Sequence, residues 1–316
     1  MGYARAMATI RGWYTKRPWI VVPGAFLLSI ATYLLLTSGV DEELPAATME
    51  LAVWQVLLSV QVAVWAVFAV TGLRALERVP NPWLRQPTAT AAKRARHWRR
   101  QTQGFLVTVY AAIGLQFVLA AAAGIHGPRL FAAQQPKILF LHALAGLASA
   151  PFLVMLKRIH LTATDPDGWS TTADDIKRVR SLRRTLRTAT ASLGTIIALA
   201  VVSTGAGRRA MVAADTLPLP ESVDLLYGAW FTAILAAVYL YAFAALDGRA
   251  RAVVEEAAPL CDPRLSDVEG FTARTKLRRE LSDELELGGD ARKNFEGLVA
   301  VFAPLLGALL NQVGGL

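Results

Sequence analysis

Residues 93–129 read KRARHWRRQTQGFLVTVYAAIGLQFVLAAAAGIHGPR, and this stretch decides the fold. Five basic residues (Lys93, Arg94, Arg96, Arg99, Arg100) precede 28 residues without a charge, Gln101 to Pro128. A helix rises about 1.5 Å per residue, so about 20 apolar residues cross a hydrocarbon layer of roughly 30 Å. Arginines massed on one flank hold that flank on the cytoplasmic side.

The same unit, a basic flank leading into an uncharged run, recurs along the chain. Six spans are predicted, at about 18–40, 51–73, 104–125, 138–156, 188–207 and 225–246. Lys and Arg number 4, 0, 8, 2, 8, 2 and 9 in the seven segments outside them, so alternate segments hold 29 of the 33. That asymmetry predicts both termini in the cytoplasm of a plasma-membrane protein. The first apolar run, 23 residues long, exceeds the 7–15 or so of a secretory signal and reads as a retained span. The predicted fold class is therefore all-α: a six-helix transmembrane bundle over 1–247, followed by a helical cytoplasmic tail over 248–316.

Composition agrees. Of 316 residues, 54% are hydrophobic and 18% charged, where a soluble chain carries about 25% charged residues. The single cysteine, Cys261, excludes an intramolecular disulfide. A net charge of +9 raises nucleic acid as a partner, but the basic residues flank spans, where anionic headgroups are the expected contact. Arg94, Arg96, Arg99, Arg100, Arg183 and Arg184 are the residues expected to make it. From Asp247 onward, nine basic and twelve acidic residues make the tail net acidic, which also argues against nucleic acid.

No catalytic, nucleotide-binding or metal-binding motif appears, so no cofactor is expected and an enzyme is disfavoured. No carboxylate falls inside a predicted span, although ion-coupled transporters and intramembrane hydrolases keep such groups there. The polar residues that remain are His142 on span four and Gln55, Ser59 and Gln61 on span two, expected to bond neighbouring helices. On span five, Thr188, Ser192, Thr195 and Ser203 lie within roughly 80° of one another at 100° per residue. They read as helix-packing hydroxyls or as the lining of a narrow path. Near the C-terminus, Phe295, Leu298, Phe302, Leu305 and Leu309 follow a 3-4-3-4 spacing, a seam for docking or self-association. Its apolar run, Gly297 to Leu310, is short for a span, and Pro304 would kink the helix.

Together these features point to an oligomeric channel-like or membrane-permeabilising protein controlled through its tail. The alternative is a non-conducting scaffold or accessory subunit that docks a partner through 248–316. A membrane enzyme acting on lipids ranks third.

Overall fold

A computed structural model describes residues 21–37, 48–79, 89–122, 129–165, 169, 172–213, 220, 222–259, 268–287 and 291–313. Among them the only regular structure is helical. The helices are α1 (Val21–Thr37), α2 (Thr48–Arg78), α3 (Ala89–Ala122), α4 (Arg129–Thr164), α5 (Thr172–Ala213), α6 (Ser222–Ala257), α7 (Val268–Glu284) and α8 (Ala291–Val313). Four stretches are long and apolar enough to cross a membrane: Met49–Glu77, Phe140–Thr164, Ala173–Ala213 and Ser222–Ala257. They cover the predicted second, fourth, fifth and sixth spans. Of the predicted first span, the described residues form the 17-residue α1. The predicted third lies in α3, whose last residues before α4 fall outside the described ones.

Side-chain contacts between helices define two ends of the bundle. At one end, Arg158 Nη1 donates to the Leu76 carbonyl at 3.1 Å, and Arg183 Nη2 to Asp247 Oδ1 at 3.0 Å. At the other, Gln55 Nε2 donates to the Leu36 carbonyl at 3.2 Å, and Arg208 Nε to Asp224 Oδ2 at 2.9 Å. Between them, the Trp65 indole N–H donates to the Ile196 carbonyl at 3.4 Å and the Tyr110 hydroxyl to the Gly146 carbonyl at 2.7 Å. Successive helices therefore run up and down. The described parts of the arginine-rich connections after α2, α4 and α6 share one end.

The core follows the apolar faces of the long helices. Phe152, Met155, Leu156 and Ile159 of α4 are fully enclosed, as are Val179, Leu182 and Leu193 of α5 and Leu246 of α6. Much of α1 faces the other way: Phe26, Leu27 and Leu34 are more than half exposed, while Leu36 joins the core. A soluble surface would not carry such a patch, whereas a lipid-facing one does.

The last helix docks on the bundle. α8 packs mainly on α5 and α6 and runs parallel to α5: Ala300 lies against Gly194, Gly307 against Ala198 and Val202, and Asn311 against Gly205. Its end therefore sits beside Arg208 and Arg209, away from Arg183, with Arg209 Nη1 donating to the Asn311 carbonyl at 3.3 Å. The 14-residue apolar run, Gly297 to Leu310, is short for a span on its own. It lies inside a helix of 23 residues, about 34 Å at 1.5 Å per residue, and small residues let that helix approach closely. A Cβ on Gly228 would stand 2.7 Å from Ala308 Cβ and 2.9 Å from the Pro304 carbonyl, so glycine is what admits α8 at that level.

Candidate functional site

Five helices leave a chamber of about 320 Å³ at the centre of the bundle. α2 contributes Trp54, Leu58, Gln61 and Trp65; α3 contributes Val109, Tyr110 and Ile113. α4 adds Leu141, His142, Ser149 and Leu153; α5 adds Leu193, Ile196, Ala200 and Ser203; α6 adds Phe231, Leu235 and Val238. The lining is overwhelmingly aliphatic and aromatic. Its size lies at the lower edge of small-molecule sites, which run about 300–1,000 Å³.

The polar groups in this wall are largely engaged with the protein. The Ser203 hydroxyl meets the Gln61 side-chain carbonyl and the Leu199 carbonyl, tying α5 to α2. The Tyr110 and Ser149 hydroxyls both donate to the Gly146 carbonyl, at 2.7 and 2.9 Å. Pairing of this kind keeps polar atoms satisfied in a space without bulk water.

One helical turn beyond Val109, Leu153 and Val238, on the side of the basic connections, three residues from the same three helices meet. Lys157, only 6% exposed, donates from Nζ to the Tyr241 hydroxyl at 2.5 Å. Its ammonium stands 4.8 Å from the centre of the Tyr241 ring and 5.8 Å from that of Phe105. His160 stacks on the other part of this cluster, its ring centroid 3.8 Å from that of Tyr241. A carbonyl only accepts, so His160 Nδ1 carries the proton in its 3.1 Å hydrogen bond to the Tyr241 carbonyl.

The residues singled out from sequence fall in several places. Gln61, Ser203 and His142 line the chamber together. Gln55 instead bonds α1, and Ser59 bonds the Val56 carbonyl in its own helix at 2.8 Å. The hydroxyl series on α5 straddles the boundary of that helix's buried face. Ser192 and Ser203 are inside, while Thr188 and Thr195 are exposed and bond the carbonyls one turn back, Arg184 and Ala191. The four therefore do not form one line. On α8 the inward face is Val301, Pro304, Ala308 and Asn311, one residue out of step with the expected seam. Phe302 and Leu309 are close to half exposed, Leu305 is intermediate, and the side chains of Phe295 and Leu298 lie outside the described residues.

Among the expected headgroup contacts, Arg96, Arg99, Arg100 and Arg184 are exposed, and the Arg94 side chain lies outside the described residues. Arg183 is a correction. It is buried, bonded to Asp247 and to the Glu286 carbonyl at 3.0 Å, because α6 and the turn after α7 close over it. Arg187 pairs with the Glu286 carboxylate and Arg180 with Glu284, so α7 is fastened to α5 by charge.

Two features escaped the sequence reading. Asp224, just before the predicted sixth span, is 1% exposed on α6 and paired with Arg208. The signal for it was an arginine closing one span and an acid opening the next. Lys157 directly follows the predicted fourth span, 138–156. Its position among aromatic rings depends on Phe105 and Tyr241, which are remote in sequence. No group of three or more metal-ligating side chains occurs among the described residues.

The geometry defines a class: among the described residues the chain is all-helical, with four helices long and apolar enough to cross a membrane. Comparison with family models, curated proteins and solved structures returns no match.

Proposed function

We propose that this chain is a multi-pass protein of the cell membrane that holds a lipophilic molecule in its central chamber, with the arginine-rich end in the cytoplasm. The observation that carries this reading is the chamber itself: an apolar-walled volume between α2, α3, α4, α5 and α6. An alkyl chain or ring gains about 25 cal/mol for each Å² it hides from water, while a bare ion entering the same walls loses its hydration without replacement. Ligand retention therefore fits the lining better than ion passage does. The acid-base ties from α5 to α7 make the cytoplasmic end the place from which occupancy is controlled.

The test is binding of a neutral fluorescent alkyl probe to the full chain in phosphatidylcholine nanodiscs. Ala200→Phe fills the chamber wall and is expected to weaken binding on the order of tenfold or more, about 1.4 kcal/mol, without changing the elution volume. Equal binding by both proteins would remove the chamber as the site.

The oligomeric conduit is the second reading. It is favoured by Phe302 and Leu309, which face outward where another copy of the chain has access to them. Protein that binds no probe, assembles as a ring and releases dye from vesicles would move the conclusion to it.

A further inference from the structure

The structure assigns the chamber a chemical class of ligand: a single-chain amphiphile with an oxyanion head, its chain in the chamber and its head at Lys157. This rests on the chamber being a ligand site, and it specifies what enters.

The first observation is an uncompensated charge. Arg183 and Arg208, the deeply buried arginines at the two ends, each have a carboxylate partner. Lys157 is as enclosed as either, and no carboxylate among the described residues pairs with it. At 6% exposure it does not reach water by snorkelling. Its surroundings are one hydroxyl and two aromatic faces, which orient an ammonium but do not neutralise it. An ammonium offers three donors, and Tyr241 takes one. Two remain for the oxygens of a phosphate or carboxylate, as charge-assisted hydrogen bonds.

The second observation is register. Lys157 lies four residues from Leu153, Tyr241 three from Val238, and Phe105 four from Val109, and all three reference residues line the chamber. On helices, those offsets keep each pair on one face. The cation thus sits about one helical turn from the apolar volume, at the end of the bundle that carries the basic connections. A molecule reaching both must have an anionic head joined to an apolar chain. A free anion gains nothing from the chamber, and a neutral chain gains nothing from Lys157.

Displacement of the neutral probe by dodecyl phosphate, dodecanol and inorganic phosphate, in the same nanodiscs, tests this. Dodecyl phosphate is expected to compete at concentrations on the order of tenfold below dodecanol, and inorganic phosphate not at all. In Lys157→Met the two dodecyl compounds should become equal, through loss by the phosphate alone; Lys157→Gln serves as a second neutral variant. Should both variants misfold, a photoreactive alkyl phosphate on the wild-type protein should label peptides around 105–113 and 234–241. Equal competition by the two dodecyl compounds in wild type, a preference that survives loss of Lys157, competition by inorganic phosphate, or labelling confined to other peptides would overturn the assignment. If neither dodecyl compound displaces the probe, the chamber reading fails as well.

Discussion

Glu286 adopts a left-handed backbone, φ 59°, where glycine is the usual occupant. It closes α7: Leu287 N–H donates to the Ser282 carbonyl at 2.7 Å and Glu286 N–H to the Asp283 carbonyl at 3.1 Å, the paired bonds of a Schellman turn. A side chain there costs about 1–2 kcal/mol, although Gly288 follows only two positions later. The carboxylate explains the choice, since it reaches Arg187 while the carbonyl accepts from Arg183. Both Glu286→Ala and Glu286→Gly lose that carboxylate, but only the glycine removes the backbone cost. Thermal unfolding in detergent should therefore place Glu286→Gly above Glu286→Ala by about 1 kcal/mol. Equal midpoints would mean the turn relaxes once the charge is gone. Asp224 illustrates the same logic at the opposite end, where an acid 1% exposed persists because Arg208 meets it.

Glycines within helices separate packing from propensity. On α6, a Cβ at Gly248 would meet nothing within 4 Å, while one at Gly228 would collide with Ala308 and the Pro304 carbonyl of α8. Alanine raises helix stability by about 0.8–1.0 kcal/mol over glycine where space allows. Gly248→Ala is accordingly expected to raise the unfolding midpoint. Gly228→Ala should lower it, by about 1–3 kcal/mol of overpacking. The same substitution on one helix thus has opposite signs, and matching signs would refute close docking of α8. Docking was foreseeable but its face was not: the apolar positions Phe302 and Leu309 suggested one seam, whereas Val301, Pro304, Ala308 and Asn311 form the contact. Small and polar residues that lie between two helices carry no hydrophobic signal in a single strand of text.

Taken together, the helices alternate in direction, and the parallel course of α8 and α5 puts Asn311 at the end of Arg208. In a membrane this arrangement separates Gln312 from the basic connections. With Cys261 replaced by serine, an impermeant maleimide applied to one side should label Val212→Cys and Gln312→Cys together. Glu255→Cys should react only from the other side. Gln312→Cys reacting alongside Glu255→Cys would return residues 291–313 to a tail. The predicted common side for both termini and the α8 arrangement therefore make opposite statements about one residue.

Apolar run length and charge carried the long helices and their alternation, because a bilayer demands about 20 apolar residues per crossing and arginine stays with one face. Those constraints act along the chain, so they are written locally in Leu51–Leu73 or Leu225–Leu246. The chamber, the Lys157 cluster and the seat of α8 were not written that way. Each depends on residues scores of positions apart, such as Phe105, Lys157 and Tyr241, brought together only when helices pack, and packing is a property of pairs of surfaces.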